Sequence, residues 1–255
     1  MKKAILSVIY GSSDESQIEN TIDRVENEYR RAFPETEIRR AFTSRRVIEA
    51  LRSAGTPVDT VPEALDRLCR DGFDHVYIQP THIISGGEYD SIRDCAAARD
   101  DRFRVIRVGG PLLDGESDNE FVCRFFASRY GSAGQAIVLV GHGSDHTDNK
   151  KYGELQETAK RLGFDEIFVM TLEASPSLDD ILPEIRAAGF GKVRLIPLLF
   201  GAAGHAKRDI AGDRPESVAS RFRAERFEVE SVVRGLGEYQ EFAALYAAHL
   251  RRAAK

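Results

Sequence analysis

Two histidines of this 255-residue chain follow apolar segments that have the character of buried strands. His142 lies in the segment VGHGS at 140–144, where the flanking glycines allow a sharp backbone turn and the close approach of a ligand. His205 lies in a loop of small residues at 200–206. Neutral imidazole suits late first-row divalent metal ions, so the pair predicts a metal site. Taken singly, each would also fit an ordinary loop histidine.

A carboxylate and a further histidine occupy similar positions. Glu173 follows a third apolar segment, at 167–170, and could complete a His/His/Glu metal site or collect protons. A carboxylate at the entry to a helix is an equally good interpretation. In the first half of the chain, His82 follows the apolar segment at 76–79 and is a candidate for lining a binding cleft.

The elements that must position these residues are short apolar segments alternating with longer amphipathic ones. This pattern predicts an α/β fold, with parallel sheets covered by helices on both faces. Ligands of such sheets bind beyond the carboxyl ends of the strands, where the candidate residues lie. The expected strands are 4–9, 37–41, 76–79, 105–108, 136–140, 167–170 and 193–197, and the expected helices are 17–32, 47–53, 62–70, 120–129, 152–162, 177–188 and 238–252.

The chain also repeats itself. The segment AILSVIYGS at 4–12 aligns with AIVLVGHGS at 136–144, which sets Tyr10 against His142. The segment VYIQP at 76–80 aligns with VRLIP at 193–197, and its extension sets Glu88 against His205. We therefore expect an internal duplication into two similar α/β lobes, an N-terminal lobe at 1–130 and a C-terminal lobe at 131–255 that carries the metal site, with the active-site cleft between them.

Composition excludes several classes of protein. With 42% hydrophobic and 30% charged residues and a net charge of -5, the chain fits a soluble protein with no basic signal for nucleic acid. No apolar stretch approaches the roughly 18 residues of a membrane helix, and the N-terminus is expected to be a strand of a cytoplasmic protein. The three cysteines lack CxxC spacing, and the chain lacks nucleophile-elbow, phosphate-loop and dinucleotide-binding motifs.

At these residues the chain resembles the sirohydrochlorin cobaltochelatases of the anaerobic pathway, in the class II chelatase superfamily that includes ferrochelatase. The similarity runs nearly end to end, and its most specific segments are 140–144 and 204–213. The resemblance implies two α/β lobes around a cleft that holds the macrocycle. It also implies that His142 is the catalytic base and that His142, Glu173 and His205 bind the metal.

The implied reaction is ATP-independent insertion of Co(II) into sirohydrochlorin, as in cobalamin biosynthesis, by a lyase-type metal chelatase. The ring loses two pyrrole protons as the metal enters, so two histidines and a carboxylate allow metal delivery and proton removal to be divided. Co(II) is expected as the substrate metal, with no organic cofactor. The expected partner is the tetrapyrrole, without nucleic acid or membrane, and a homo-oligomer is left open. A sirohydrochlorin ferrochelatase making sirohaem, or a non-catalytic metal- or haem-binding protein, stays an alternative.

Charge gives a clue to substrate binding. Sirohydrochlorin carries eight carboxylates, and guanidinium groups pair well with carboxylates. Arg45 is the leading candidate, because it closes the segment TSR at 43–45 after an expected strand. The other basic candidates, each of which would also fit a solvated helix face, are Arg39, Arg40, Arg46, Lys207 and Arg208. The residues expected to bind the tetrapyrrole in the first lobe are Tyr10, Arg45, His82 and Glu88.

Overall fold

Eight β-strands form two four-stranded parallel sheets in the described part of the chain, which is every residue except Ala203 and His205. The predicted metal ligand His205 thus lies outside the residues that this computed structural model describes. The strands are β1 (Lys3–Ile9), β2 (Glu37–Phe42), β3 (His75–Pro80), β4 (Val105–Val108), β5 (Gln135–Gly141), β6 (Ile167–Thr171), β7 (Lys192–Pro197) and β8 (Glu228–Ser231). The strand orders are β2-β1-β3-β4 and β6-β5-β7-β8.

Helices connect successive strands, as the parallel pairing requires. The α-helices are α1 (Glu15–Gln17), α2 (Arg24–Ala32), α3 (Arg45–Ser53), α4 (Val61–Arg70), α5 (Gly87–Ala97), α6 (Glu116–Tyr130), α7 (Lys150–Arg161), α8 (Leu178–Ala187), α9 (Val218–Ala224) and α10 (Gln240–Ala253). Shorter π or 3₁₀ turns are Ile18–Asp23, Asp100–Arg102, Thr147–Asn149, Ala206–Ile210 and Leu236–Glu238. None of the helices in the described residues has the length and apolar character to cross a membrane.

The chain divides into one unit of Met1–Leu112 with Gly237–Lys255 and a second unit of Leu113–Leu236. These bounds differ at their edges from the expected lobes, 1–130 and 131–255. The reason is the packing of two helices.

The helix α10 packs in the first unit, where the Tyr246 hydroxyl donates to the Thr81 carbonyl over 3.0 Å. The helix α6 packs on α7 in the second unit, and Glu120 pairs with Arg161 at 3.0 Å. The C-terminal helix therefore returns to the first sheet, and the helix before β5 belongs to the second.

The central strands β1 and β5 are buried almost from end to end, which explains why their sequences do not alternate. In β1 every residue after Lys3 is buried, and in β5 all residues are buried. Helices cover both faces of a parallel sheet of this kind. The helix α4 shows local signals acting together, because Thr60 and Glu63 form a capping box and Pro62 occupies the first turn.

Strand register repeats in the two units. Val8 pairs with Ala41 and Pro80 in the first sheet, and Val140 pairs with Met170 and Pro197 in the second. The internal repeat in the sequence predicts these same alignments, of Val8 with Val140 and of Pro80 with Pro197. The predicted duplication is confirmed in strand order and in register.

The same backbone hydrogen bond also recurs at the carboxyl end of each central strand. The Thr81 amide donates to the Val8 carbonyl over 2.9 Å, and the Leu198 amide donates to the Val140 carbonyl over 2.8 Å. Tyr10 and His142 each lie two residues beyond these carbonyls. They therefore occupy equivalent positions in the two units, as the alignment predicts.

Three elements lack a sequence signal strong enough to predict them. The strand β8 is an edge strand in which Val229 alone packs against the core cluster. The helix α5 begins in a Gly-Gly segment, and α9 has seven residues. Short or marginal elements of this kind take their structure from packing rather than from local pattern.

Candidate metal centre

His142 lies directly after β5 with its imidazole 42% exposed. Its Nδ1 is 3.2 Å from the Gly143 carbonyl oxygen and 3.5 Å from Oε2 of Glu173. Both neighbours of Nδ1 are hydrogen-bond acceptors, so they favour the tautomer with hydrogen on Nδ1. The lone pair of the neutral ring then resides on Nε2, which is the atom suited to bind a metal ion or accept a proton.

Glu173 comes next to His142 because β5 and β6 are neighbouring strands. Their ladder continues past the Gly141–Thr171 pair. The Leu172 and Glu173 amides donate to the His142 carbonyl over 3.1 and 3.0 Å. The Glu173 carboxylate is 59% exposed, so it can reach a ligand in solution as well as the imidazole. The structure thus brings together two of the three predicted metal ligands.

Gly143 lies where the loop of His142 packs against the loop of Glu173, and its side chain is a single hydrogen atom. Its φ is +86°, in the left-handed region that favours glycine. A Cβ atom there would lie 2.8 Å from Thr171 Oγ1 and 2.9 Å from the Ala174 amide nitrogen. Thr171 Oγ1 in turn accepts from the Ala174 amide over 3.2 Å. The loop that carries His142 is therefore packed directly on the loop that carries Glu173.

Tyr152 supports the His142 loop from the core, a role that its position in the sequence does not indicate. Its buried hydroxyl lies close to the backbone N–H groups of His142 and Gly143. Burial raises the pKa of Tyr152 to about 12, and the two amide donors act in the opposite direction. A Cβ atom on Gly141 would lie 2.3 Å from the Tyr152 ring, so the preceding glycine makes room for it. A lone tyrosine ten residues after His142 gives no sequence signal for this contact.

Replacing Tyr152 by Phe should lower the free energy of unfolding by about 1–3 kcal/mol, because two backbone N–H groups lose a buried acceptor. Chemical denaturation of the two proteins measures the difference. Tyr10, a residue that is 57% exposed, provides the control, because its change to Phe should leave the unfolding free energy nearly unaltered. Equal stability of Tyr152→Phe and the wild type would contradict this support.

In the first unit, His82 and Glu88 meet Thr43 at the carboxyl end of the sheet. Glu88 Oε2 is 3.0 Å from His82 Nε2 and accepts from Thr43 Oγ1 over 3.1 Å. The His82 side chain is 15% exposed, whereas the Glu88 carboxylate is 47% exposed. His82 therefore lies largely inside the loop and presents Glu88 outward. The sequence placed both residues near strand ends but did not predict their hydrogen bond.

Tyr10 and Arg45 are neighbours through the backbone. The Ser44 amide donates to the Tyr10 carbonyl over 3.1 Å, and Ser44 is the N-cap of α3, which begins at Arg45. This bond repeats the one from the Glu173 amide to the His142 carbonyl. Tyr10 and Ser44 thus stand where the second unit has His142 and Glu173. A phenol and a hydroxyl replace an imidazole and a carboxylate, which are better metal ligands.

The basic residues divide into paired and unpaired groups. Arg40 binds Glu26 and Asp23, and this pairing fixes β2 against α2. Arg39 pairs with Asp71, and Arg208 pairs with Asp209. The positive charges of these three guanidinium groups are therefore already paired with carboxylates of the protein. Arg45 and Arg46 are exposed and make no ion pair in the part of the chain that the structure describes.

Comparison with known proteins identifies close relatives. A family model described as cobalt chelatase (CbiK) matches residues 3–255. The sirohydrochlorin cobaltochelatase CbiKC of Nitratidesulfovibrio vulgaris is 35% identical over 257 positions, which cover 99% of this chain and 90% of that protein. The sirohydrochlorin cobaltochelatase of Salmonella typhimurium is 33% identical over 259 positions, which cover 99% of this chain and 97% of that protein.

Solved structures share the fold at lower identity. SirB from Bacillus subtilis, solved with Fe³⁺, aligns with a TM-score of 0.66 and 15% identity over 100% of this chain and 96% of that chain. A multi-domain protein from Deinococcus radiodurans with structural similarity to chelatases aligns with a TM-score of 0.64 and 15% identity, over 100% of this chain and 56% of that chain. The chelatase-like fold predicted from the sequence is confirmed.

Proposed function

This chain belongs to the cobalt chelatase family, and we propose that it inserts Co(II) into sirohydrochlorin without ATP. The observation that carries the proposal is the juxtaposition of His142 Nδ1 and Glu173 Oε2 at 3.5 Å, beyond the carboxyl ends of adjacent strands. The names of the two relatives, each at least 33% identical over 99% of this chain, support sirohydrochlorin as the substrate.

The proposed site divides metal binding from proton removal. Insertion replaces two pyrrole N–H bonds by bonds to Co(II) and releases two protons. His142 Nε2 accepts a proton or binds the metal, and the Glu173 carboxylate beside Nδ1 stabilises the imidazolium that forms on protonation. Glu173 and His205 complete the proposed metal ligands, the latter on the sequence pattern alone. Imidazole and carboxylate together suit Co(II).

A turnover assay tests the proposal against a metal or haem carrier. Sirohydrochlorin in large molar excess is mixed with the protein and Co(II), and in parallel with Fe(II), and metal insertion is followed by absorbance. A cobaltochelatase converts many equivalents of tetrapyrrole per protein, with Co(II) faster than Fe(II). Conversion of a single equivalent would indicate a carrier, and faster insertion of Fe(II) would indicate a ferrochelatase.

We propose that Arg45 binds a substrate carboxylate, together with Tyr10, His82 and Glu88 in the same unit. Arg45 is exposed and begins α3 next to the Tyr10 backbone. The net charge of -5 gives no long-range attraction for an anionic ring, so recognition depends on local guanidinium groups.

The three free cysteines fit a reducing compartment, and we propose the cytoplasm as the place of the reaction.

Replacing Arg45 by Ala should raise KM for sirohydrochlorin roughly tenfold, because one charge-assisted hydrogen bond is lost. The ratio of Co(II) to Fe(II) rates should stay nearly constant, since Arg45 is not a proposed metal ligand. Steady-state kinetics with both metals provide the test. Arg52→Ala, at the other end of α3, is the matched control and should leave KM unaltered. A changed metal ratio with an unchanged KM would contradict this role for Arg45.

A further inference from the structure

The side-chain amide of Asn149 joins the two loops of the candidate metal centre. Its Oδ1 accepts from the Ser144 amide over 3.0 Å, and its Nδ2 donates to the Ser175 carbonyl over 2.5 Å. Ser144 lies two residues after His142, and Ser175 lies two residues after Glu173. The planar amide of Asn149 therefore connects the two loops, and it contacts each loop two residues after the proposed metal ligand.

An amide is the side chain suited to this contact. It carries an acceptor and two donors on one group, whereas a carboxylate offers acceptors alone and an aliphatic side chain offers neither. Asn149 is also held from its own side, because it ends the turn Thr147–Asn149 directly before α7. The bridge is thus anchored to a helix and spans two loops that otherwise meet through short backbone contacts.

We infer that Asn149 is a positioning residue that sets the separation of His142 and Glu173, an inference that rests on the proposed metal site. The carbonyl of His142 is bonded to the Glu173 amide at one end of the paired loops, and Asn149 closes them two residues further on. Between these points Gly143 packs on Thr171 and Ala174. The loops are fixed at the ligand pair and again two residues beyond it, so the imidazole and the carboxylate meet the metal already oriented.

The same helix contains a matched amide that lies away from the candidate ligands. Gln156 donates through Nε2 to the Ile167 carbonyl over 2.9 Å and accepts at Oε1 from the Val169 amide over 2.8 Å. It therefore also bridges a backbone donor and a backbone acceptor. Ile167 begins β6, whereas Glu173 follows the end of that strand. Replacing Gln156 therefore measures the stability that is lost with an amide bridge, while His142 and Glu173 stay in place.

The test compares Asn149→Ala with Gln156→Ala in the full-length chain. Co(II) alone is titrated into each protein, and the dissociation constant is measured by calorimetry together with the visible absorption of the bound ion. Asn149→Ala should weaken Co(II) binding about 10- to 100-fold and lower kcat, with KM for sirohydrochlorin nearly unchanged. Gln156→Ala should lower the melting temperature to a similar extent while keeping the affinity and the spectrum of the wild type.

Two results would overturn the inference. One is wild-type Co(II) affinity and kcat in Asn149→Ala, and the other is an equal loss of affinity in Gln156→Ala. The wild type and His142→Ala separate this outcome from failure of the proposed function. If His142→Ala binds Co(II) as the wild type does, the proposed metal site is wrong. If His142→Ala loses binding and Asn149→Ala retains it, the metal site stands and the role of Asn149 is wrong.

Discussion

Replacing His142 by Ala should lower kcat for Co(II) insertion by about 10²- to 10⁴-fold, the range expected when a group that transfers protons is removed. The imidazole is the proposed nitrogen ligand beside Glu173, and its Nδ1 faces the Gly143 carbonyl and the Glu173 carboxylate. Alanine supplies neither a lone pair for the metal nor an acceptor for a pyrrole proton. The affinity for sirohydrochlorin should change little, because ring binding is proposed to depend on other residues.

His146→Ala is the matched control for this experiment. His146 lies in the same loop, and its Nδ1 accepts from the Asp148 amide over 3.2 Å, so its ring serves the local turn. Turnover is measured by absorbance, and binding of the tetrapyrrole is measured separately by fluorescence quenching. His146→Ala should retain most of the activity. Equal losses of binding and turnover in His142→Ala would indicate a structural role for that histidine.

The sequence predicts His142 and Glu173 correctly as neighbours because their positions depend on a few local regularities. Each follows a continuous apolar strand, and parallel strands present their carboxyl ends at one edge. The internal repeat adds the position of Tyr10, and the register of β1 and β5 confirms its equivalence to His142. The succession of strands and helices along the chain and the position of loop residues can therefore be predicted before any contact is known.

The supporting residues could not be predicted in this way. Tyr152 and Asn149 reach the His142 loop from the start of α7, and their roles depend on the angle at which that helix leaves the loop. For Arg40 the sequence suggested a functional role, whereas the structure shows a structural one. Its type and position suggested substrate binding, but the edge strand β2 brings it against Glu26 and Asp23 of the preceding helical segment. Charge alone does not determine which carboxylate an arginine meets.

The second large effect is expected at Gly143, where alanine should lower kcat by about 10²-fold, because misplacement of a catalytic group by about 1 Å has an effect of that size. The added Cβ would lie 2.8 Å from Thr171 Oγ1, closer than the roughly 3.5 Å of a favourable contact. The Ala174 amide nitrogen, at 2.9 Å, is backbone and cannot rotate away. The loop that carries His142 must therefore move from the loop that carries Glu173.

Gly163→Ala separates this displacement from backbone strain. Gly163 has a φ of +76°, close to the +86° of Gly143, but a Cβ atom there would meet nothing within 4 Å. Both substitutions should lower the free energy of unfolding by about 1–2 kcal/mol through the left-handed conformation. Gly143→Ala alone should lose turnover and Co(II) affinity, measured by absorbance and by titration with the metal. If both variants keep wild-type turnover, the close packing of the two loops does not determine the position of His142.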